Sequence, residues 1–269
     1  VVEGMREALG NKVELITRFG SSLGGDAADQ ERATIVGRNN PSEERDEKTI
    51  VAGAIDAAKD ADVIVAALGE ASEMSGESSS RVDIGIPAVQ QRLLKELVAT
   101  GKPVVLVLFA GRPMTIAEES ETVPAILNVW FGGSETGKAV ADVLFGDVNP
   151  SGKLPASFPK HVGQLPLYYA HKNTGRPLPE GQWFEKFRSN YLDVDNEPLY
   201  PFGYGLSYTK FDYAKPTVSA TTMKSGEKLN VEVHVSNNGD WDGEEIAQLY
   251  IRDLVGSITR PVKELKKFE

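Results

Sequence analysis

The sequence predicts an α/β protein: a mostly parallel sheet with helices on both faces (an α/β sandwich), followed by a partial antiparallel β-sandwich. Three observations predict it. Short, unbroken apolar runs alternate with helical segments over the first two-thirds of the 269 residues. Apolar runs without alternation fit strands of a parallel sheet that is covered on both sides. After Phe211 the periodicity changes to two, the mark of half-buried antiparallel strands.

Each element follows in order. Val1, Val2, Met5 and Leu9 open the chain in helical spacing. Lys12–Phe19 (KVELITRF) predicts a strand, and Gly20–Asp46, Gly-rich at its start and then polar, predicts a long loop. Lys48–Asp60 puts Ile50, Val51, Ala54, Ile55 and Ala58 on one helical face. Asp62–Leu68 (DVIVAAL) reads as a buried strand. Ala88–Thr100 predicts a helix that stops at Gly101. Pro103–Ala110 (PVVLVLFA) and Ala125–Phe131 (AILNVWF) are two more buried strands. Ser134–Phe145 predicts a helix with Ser134 as its N-cap and Gly146 as its stop. From Asn149 to Leu206 Pro, Gly and aromatic residues dominate, which predicts a covering segment with little regular structure. Leu229, Val231, Val233 and Val235 alternate with polar neighbours as a strand. A turn cluster at Asn237–Asp240 and a second strand at Ile246–Arg252 follow. The expected organisation is an α/β domain over 1–160, a Pro/Gly/aromatic-rich covering segment over 161–210 and an incomplete β-sandwich over 211–269.

Composition narrows the function. Hydrophobic residues at 41% and charged residues at 25% are ordinary globular usage and exclude chain-wide disorder. A formal net charge of −10 argues against nucleic acid and anionic membrane surfaces as partners. No stretch approaches the roughly 18 apolar residues of a membrane span. The absence of cysteine excludes disulfides, thiolate catalysis and Cys-ligated zinc. His161, His171 and His234 are far apart in the chain, so no His-rich metal site is expected. The chain starts at Val1 in a helical pattern and stops at Val262, Leu265 and Phe268 in an unfinished strand. The expectation is a piece of a longer protein.

In an open α/β sheet, ligands bind beyond the carboxyl ends of the strands. The segment after Asp62–Leu68 is there, and its stretch Gly69–Asp83 holds Glu70, Glu73, Glu77, Asp83 and Arg81. A carboxyl group in that place can serve as a general acid if its surroundings hold it protonated; a solvated acidic loop is the plain alternative. Gly20-Ser-Ser-Leu-Gly24-Gly25 lacks a complete phosphate-binding pattern and no helix follows promptly, which disfavours a nucleotide site. Gly132-Gly133-Ser134-Glu135 leads into a helix, where a cap explains it as well as an anion does. His171 has no Gly-x-Ser-x-Gly nucleophile to serve. Trp130, Trp183, Phe184, Tyr191 and Tyr200 suit sugar stacking or simple packing.

Taken together and in order, several runs carry a resemblance. They are Gly69-Glu70, Glu77-Ser-Ser-Ser-Arg81-Val-Asp83-Ile-Gly-Ile-Pro87, Gly101–Leu108 with Gly111-Arg112-Pro113, Trp130–Gly137, Ala141–Asp147, Asn149-Pro-Ser-Gly-Lys-Leu-Pro155-Ala-Ser-Phe-Pro159, Asn173–Pro177 and Tyr200–Tyr208. The chain resembles the second, α/β sandwich domain of family 3 glycoside hydrolases of the bacterial periplasmic β-glucosidase kind, with the start of their fibronectin type III-like domain. The resemblance implies a retaining, exo-acting hydrolase of terminal β-glucosyl or β-xylosyl residues. It places the acid/base carboxyl at Glu77 and the nucleophilic Asp on a separate N-terminal (β/α)8 barrel. Glu70 becomes a supporting carboxylate, Arg81 and Asp83 become residues that orient the loop, and Glu73 has no counterpart. No cofactor and no metal are called for. The implied partners are a β-linked oligosaccharide or glucoside and the protein's own barrel, and a homodimer fits as well. The implied location is periplasmic or secreted. The sheet's first strand is expected to be missing from this chain, and the chain alone is expected to be inactive. The competing readings are a non-catalytic carbohydrate- or protein-binding module and, from architecture alone, a nucleotide-binding protein.

Overall fold

The computed structural model describes residues 1–23, 31, 45–179 and 181–269. Three parallel strands form the centre: β1 (Ile64–Gly69), β2 (Val104–Phe109) and β3 (Ala125–Asn128), side by side in that order. Helices α1 (Val2–Leu9), α2 (Glu47–Asp60), α3 (Ala88–Ala99), α4 (Ala117–Thr122) and α5 (Thr136–Leu144) accompany the sheet. The three apolar runs and the segments at Lys48, Ala88 and Ser134 therefore form strands and helices as the sequence predicts, within one to three residues at each end. An α/β fold with a parallel sheet is what the apolar runs predict.

Burial explains the order of the sheet. The middle strand β2 is the most apolar run, and Leu106, Val107 and Leu108 are completely buried. They join Leu93, Leu94 and Leu97 of α3, together with Met114, Ile116 and Phe158, in the core. Asp46 starts α2 by accepting a hydrogen bond from the Thr49 amide at 3.0 Å. Helices α1 and α5 cross at Gly4 and Gly137, where a Cβ on Gly4 would overlap the Gly137 carbonyl.

Two local expectations fail. Lys12–Phe19 is not a strand: no described strand pairs with it, and Val13, Ile16 and Phe19 are exposed. Side-chain alternation reports an extended backbone, but a strand also needs a neighbour for its N–H and C=O groups. Ser134 is not the cap of α5. Glu135 holds that position without a side-chain hydrogen bond, and the Thr136 hydroxyl closes the Gly132–Gly133 turn by donating to the Gly133 carbonyl at 2.7 Å. The predicted loop Gly20–Asp46 lies mostly outside the described residues.

The stretch from Asn149 onward makes few repeating structures, yet it is anchored. Phe158 is 1% exposed and packs its ring 5.9 Å from Trp130 and 6.3 Å from Tyr200. Its backbone bonds to both Tyr200 and Leu199 at 2.8 Å, while Leu154 bonds to Tyr204 and Gly203. The Asn149–Pro159 run is thus zipped to the Tyr200–Tyr208 run. Beyond it lie three two-stranded antiparallel ladders: β4 (Phe211–Tyr213) with β7 (Val235–Asn237), β5 (Thr217–Val218) with β6 (Val231–Glu232), and β8 (Gln248–Ile251) with β9 (Glu264–Phe268). The alternating Leu229–Ser236 segment is divided between β6 and β7, because its two halves pair with different strands.

Lys153 ties the two regions together. Its ammonium donates to the Gly205 carbonyl at 3.0 Å and to Glu245 at 2.9 Å. Tyr213 donates to the other Glu245 oxygen at 2.9 Å. Burial, reinforced by that bond to a carboxylate, pushes the Tyr213 hydroxyl up to about 12. Asn149 adds a bond to the Asp242 carbonyl at 2.9 Å.

Phe158 makes the covering segment part of the core, so Phe158→Ala should lower stability by about 3–5 kcal/mol in urea denaturation. A loss below about 1 kcal/mol would show that this segment is held by its surface bonds alone.

A candidate active-site loop held by a buried carboxylate

The register of the sheet brings the candidate residues together. Gly69 pairs with Phe109, and Leu108 with Asn128, so the three strand ends are level at one edge. At that edge β1 and β2 approach unusually closely: a Cβ on Gly69, whose φ is 137°, would overlap the Phe109 carbonyl. Only glycine permits the approach, and it allows the Glu70 amide to donate to Phe109 O at 2.8 Å. On its other side, Gly69 is held by the buried Gln90 of α3. The Gln90 carbonyl accepts from Gly69 N at 2.7 Å, and its amide donates to Gly69 O at 3.0 Å. A side-chain amide there replaces the hydrogen bonds of a neighbouring strand.

Glu70 then turns inward, with its side chain fully buried. It is compensated from three directions. Arg81 Nη1 donates at 2.8 Å, Arg112 Nε lies 3.0 Å from one carboxylate oxygen and 3.2 Å from the other, and the Gly111 amide donates at 3.4 Å. Both arginine side chains are themselves about four-fifths buried. An ion pair in such a place contributes little net stability by existing, but losing one partner leaves a charge stranded away from water.

Arg112 also holds the loop. Its Nη2 donates to the Ser79 carbonyl at 2.8 Å and to the Met74 carbonyl. Between those two points the chain passes through Gly76 (φ 139°), Glu77 and Ser78 (φ 61°). Ser79 N donates to Gly76 O at 3.3 Å and Ser79 Oγ to Glu77 O at 3.4 Å. Glu77 is exposed at the tip, and its carboxylate bonds to no described residue. Asp83 lies further on, where its carboxylate accepts from the Gly85 amide at 2.8 Å and shapes the turn into α3.

The structure thus joins Glu70 and Arg81 directly, places Glu77 on the same held loop, and leaves Asp83 in a separate turn. Glu73 is half-buried and accepts from Ser72 at 3.2 Å. Sequence reasoning assigned no role to Arg112 or to Gln90. A signal for Arg112 was present, as it follows the end of the strand that the register sets beside Glu70. Gln90 had none, since one buried amide on a helix face looks like any other polar residue.

Among the described residues, the carboxyl group of Glu119 is pushed up by its surroundings. Burial raises Glu119 of α4, partly offset by its own backbone and by a hydrogen bond from Gln91. Only 4% of it is exposed, so it cannot meet a substrate. Among the described residues no group of His, Asp and Glu is arranged to hold a metal ion, and no helix is long and apolar enough to cross a membrane.

The geometry can be compared with known proteins. Residues 1–208 match the glycosyl hydrolase family 3 C-terminal domain, and residues 245–269 match the fibronectin type III-like domain. The chain therefore belongs to glycoside hydrolase family 3. Over its whole length it is 45% identical to a periplasmic β-glucosidase of Salmonella typhimurium, of which it spans 35%. It is 41% identical over 80% of its length to a β-xylosidase of Formosa agariphila, of which it spans 29%. A solved β-glucosidase of Listeria innocua, in complex with laminaribiose, superposes with a TM-score of 0.79 at 45% identity, covering 84% of this chain and 31% of that one. The chain spans about a third of the length of such relatives.

Because Glu70 is the ion-pair partner of both guanidinium groups among the described residues, Glu70→Gln should cost about 3–5 kcal/mol. Thermal or urea unfolding reads this directly, and a cost under about 1 kcal/mol would mean the arginines are solvated.

Proposed function

We propose that this chain supplies the acid/base carboxyl group, Glu77, of a retaining, exo-acting β-glycosidase that releases terminal β-glucosyl residues. The observation that carries the reading is the loop itself: an exposed carboxylate with no partner among the described residues, fixed from below, at the strand-end edge of a family 3 domain. Glu70 cannot share the chemistry, because its oxygens are already committed to two arginines and its side chain has no exposed surface.

Retention requires two carboxyl groups about 5–5.5 Å apart on either side of the scissile bond. The nucleophile is assigned to an Asp on a separate (β/α)8 barrel domain, against which the Glu77 loop would face. In the first step that Asp attacks the anomeric carbon while Glu77 gives its proton to the glycosidic oxygen. The C–O bond to the leaving group breaks and a glycosyl ester forms. In the second step Glu77, now a carboxylate, takes a proton from water. The water oxygen attacks the anomeric carbon and frees the Asp. No cofactor takes part.

The names of the relatives support β-glucosides as the preferred substrates and β-xylosides as a second group. The Salmonella relative's name supports a periplasmic location. The domain boundaries near 160 and 210, and a homodimer, belong to the same proposal. A chain presenting one catalytic carboxylate is inactive without the barrel.

Hydrolysis of an aryl β-glucoside tests the reading in three proteins: this chain, the barrel-containing enzyme, and that enzyme with Glu77→Gln. Activity is expected only in the second, with a loss of about 10²–10⁴-fold in the mutant. With an activated leaving group, azide should restore part of the mutant's rate, since azide needs no general base. Near-normal turnover by Glu77→Gln, or turnover by the chain alone, would overturn the proposal.

A further inference from the structure

We infer that Arg112 is a positioning residue for proton transfer, fixing the loop that carries Glu77 from the buried anchor at Glu70. This rests on the reading of Glu77 as the acid/base.

The inference comes from how one guanidinium is used. Its Nε is fixed by the Glu70 carboxylate, which Arg81 and the Gly111 amide hold in turn. With Nε fixed, the planar group has no freedom to rotate, and the direction of Nη2 is set. Nη2 points at two carbonyls, Met74 and Ser79, which lie on opposite sides of Glu77 in the chain. One nitrogen therefore closes the segment between them into a ring. A lysine could not replace it, because a single ammonium cannot keep the Glu70 contact and aim a second donor at a fixed angle.

The rest of the loop agrees. Gly76 and Ser78, on either side of Glu77, both have positive φ. Such backbone persists in a non-glycine residue when its surroundings over-determine it. Gly111, the residue before Arg112, lies against the loop from the same side: a Cβ there would overlap the Ser75 side chain and come within 2.9 Å of Phe131 Cε2. The loop's backbone is thus determined at Met74, Ser75 and Ser79, while the Glu77 carboxylate stays open. This is the arrangement that proton transfer needs, since a displacement of about 1 Å costs on the order of 10²-fold in rate.

Leaving-group dependence separates positioning from general damage. Aryl β-glucosides with poor leaving groups need the proton in the first step, whereas 2,4-dinitrophenyl β-glucoside does not. In the barrel-containing enzyme, Arg112→Met should lower kcat/KM for phenyl β-glucoside by about 10²-fold and for the dinitrophenyl substrate by less than about 10-fold. Gly111→Ala leaves every ion pair in place but pushes on Ser75, and it should show the same selective loss. Adding Ser75→Gly to Gly111→Ala removes the Ser75 obstruction, the remaining close atom being Cε2 of the exposed Phe131 ring, which can swing toward solvent, and should restore the phenyl substrate. If Arg112→Met does not fold, the Gly111→Ala and Ser75→Gly pair decides alone. Equal losses on both substrates, no loss, or no recovery in the double variant would overturn the inference. Glu77→Gln is the control: if it too lacks the selective loss, the assignment of Glu77 fails, and not merely its positioning.

Discussion

The structure of the candidate site depends on one buried carboxylate. Glu70 leaves the end of β1 and must be compensated, because a lone charge cannot stay inside a protein. Two arginines and a backbone amide meet this requirement. They come from different parts of the chain, so the compensation also serves as assembly. Arg81 brings back the far end of the loop, and Arg112 brings the end of β2. Such a network adds little net stability compared with an apolar core, but it defines one arrangement in which every partner is satisfied.

That arrangement turns rigidity in the sheet into rigidity in a loop. Strands β1 and β2 are fixed by the apolar burial of Leu106, Val107 and Leu108. Their register sets Glu70 beside Gly111 and Arg112, and Arg112 reaches the two carbonyls around Glu77. Each step is short, and each begins from a group already immobilised by the one before. A functional carboxylate can then be exposed without being loose. In a retaining glycoside hydrolysis this matters because the same acid/base group must serve both steps from one position. The outer part of the molecule follows a similar logic, with Phe158 buried as an anchor and Lys153 bonded to Glu245 across to the antiparallel ladders.

Much of this was legible in the sequence where burial alone decides structure. DVIVAAL, PVVLVLFA and AILNVWF all form parallel strands, but only PVVLVLFA is buried along most of its length; β1 is largely half-buried, and β3 stops at Asn128, half-buried with Ala125 exposed. Lys12–Phe19 shows where that reasoning stops: alternation cannot reveal whether a neighbouring backbone is there to pair with. The resemblance carried by an ordered set of motifs points to Glu77, by its spacing from Arg81, and to Glu70 at the strand end. Arg112 stood in a quoted motif without a role, because its partners are 33 to 42 residues away and become neighbours only once the parallel register is known. Gln90 was illegible for the same reason. Long-range polar contacts are the part of a site that local pattern conveys least.

The pH dependence of kcat/KM for the barrel-containing enzyme, compared with its Glu77→Gln variant, tests the central claim most directly. A general acid must be protonated in the first step, so the wild-type rate should fall on the alkaline side as that group ionises. A glutamine has no proton to lose. The account predicts that the alkaline fall disappears in Glu77→Gln while the acid-side fall, from the nucleophile, remains. An alkaline fall that persists unchanged in the variant would contradict it and place the acid elsewhere.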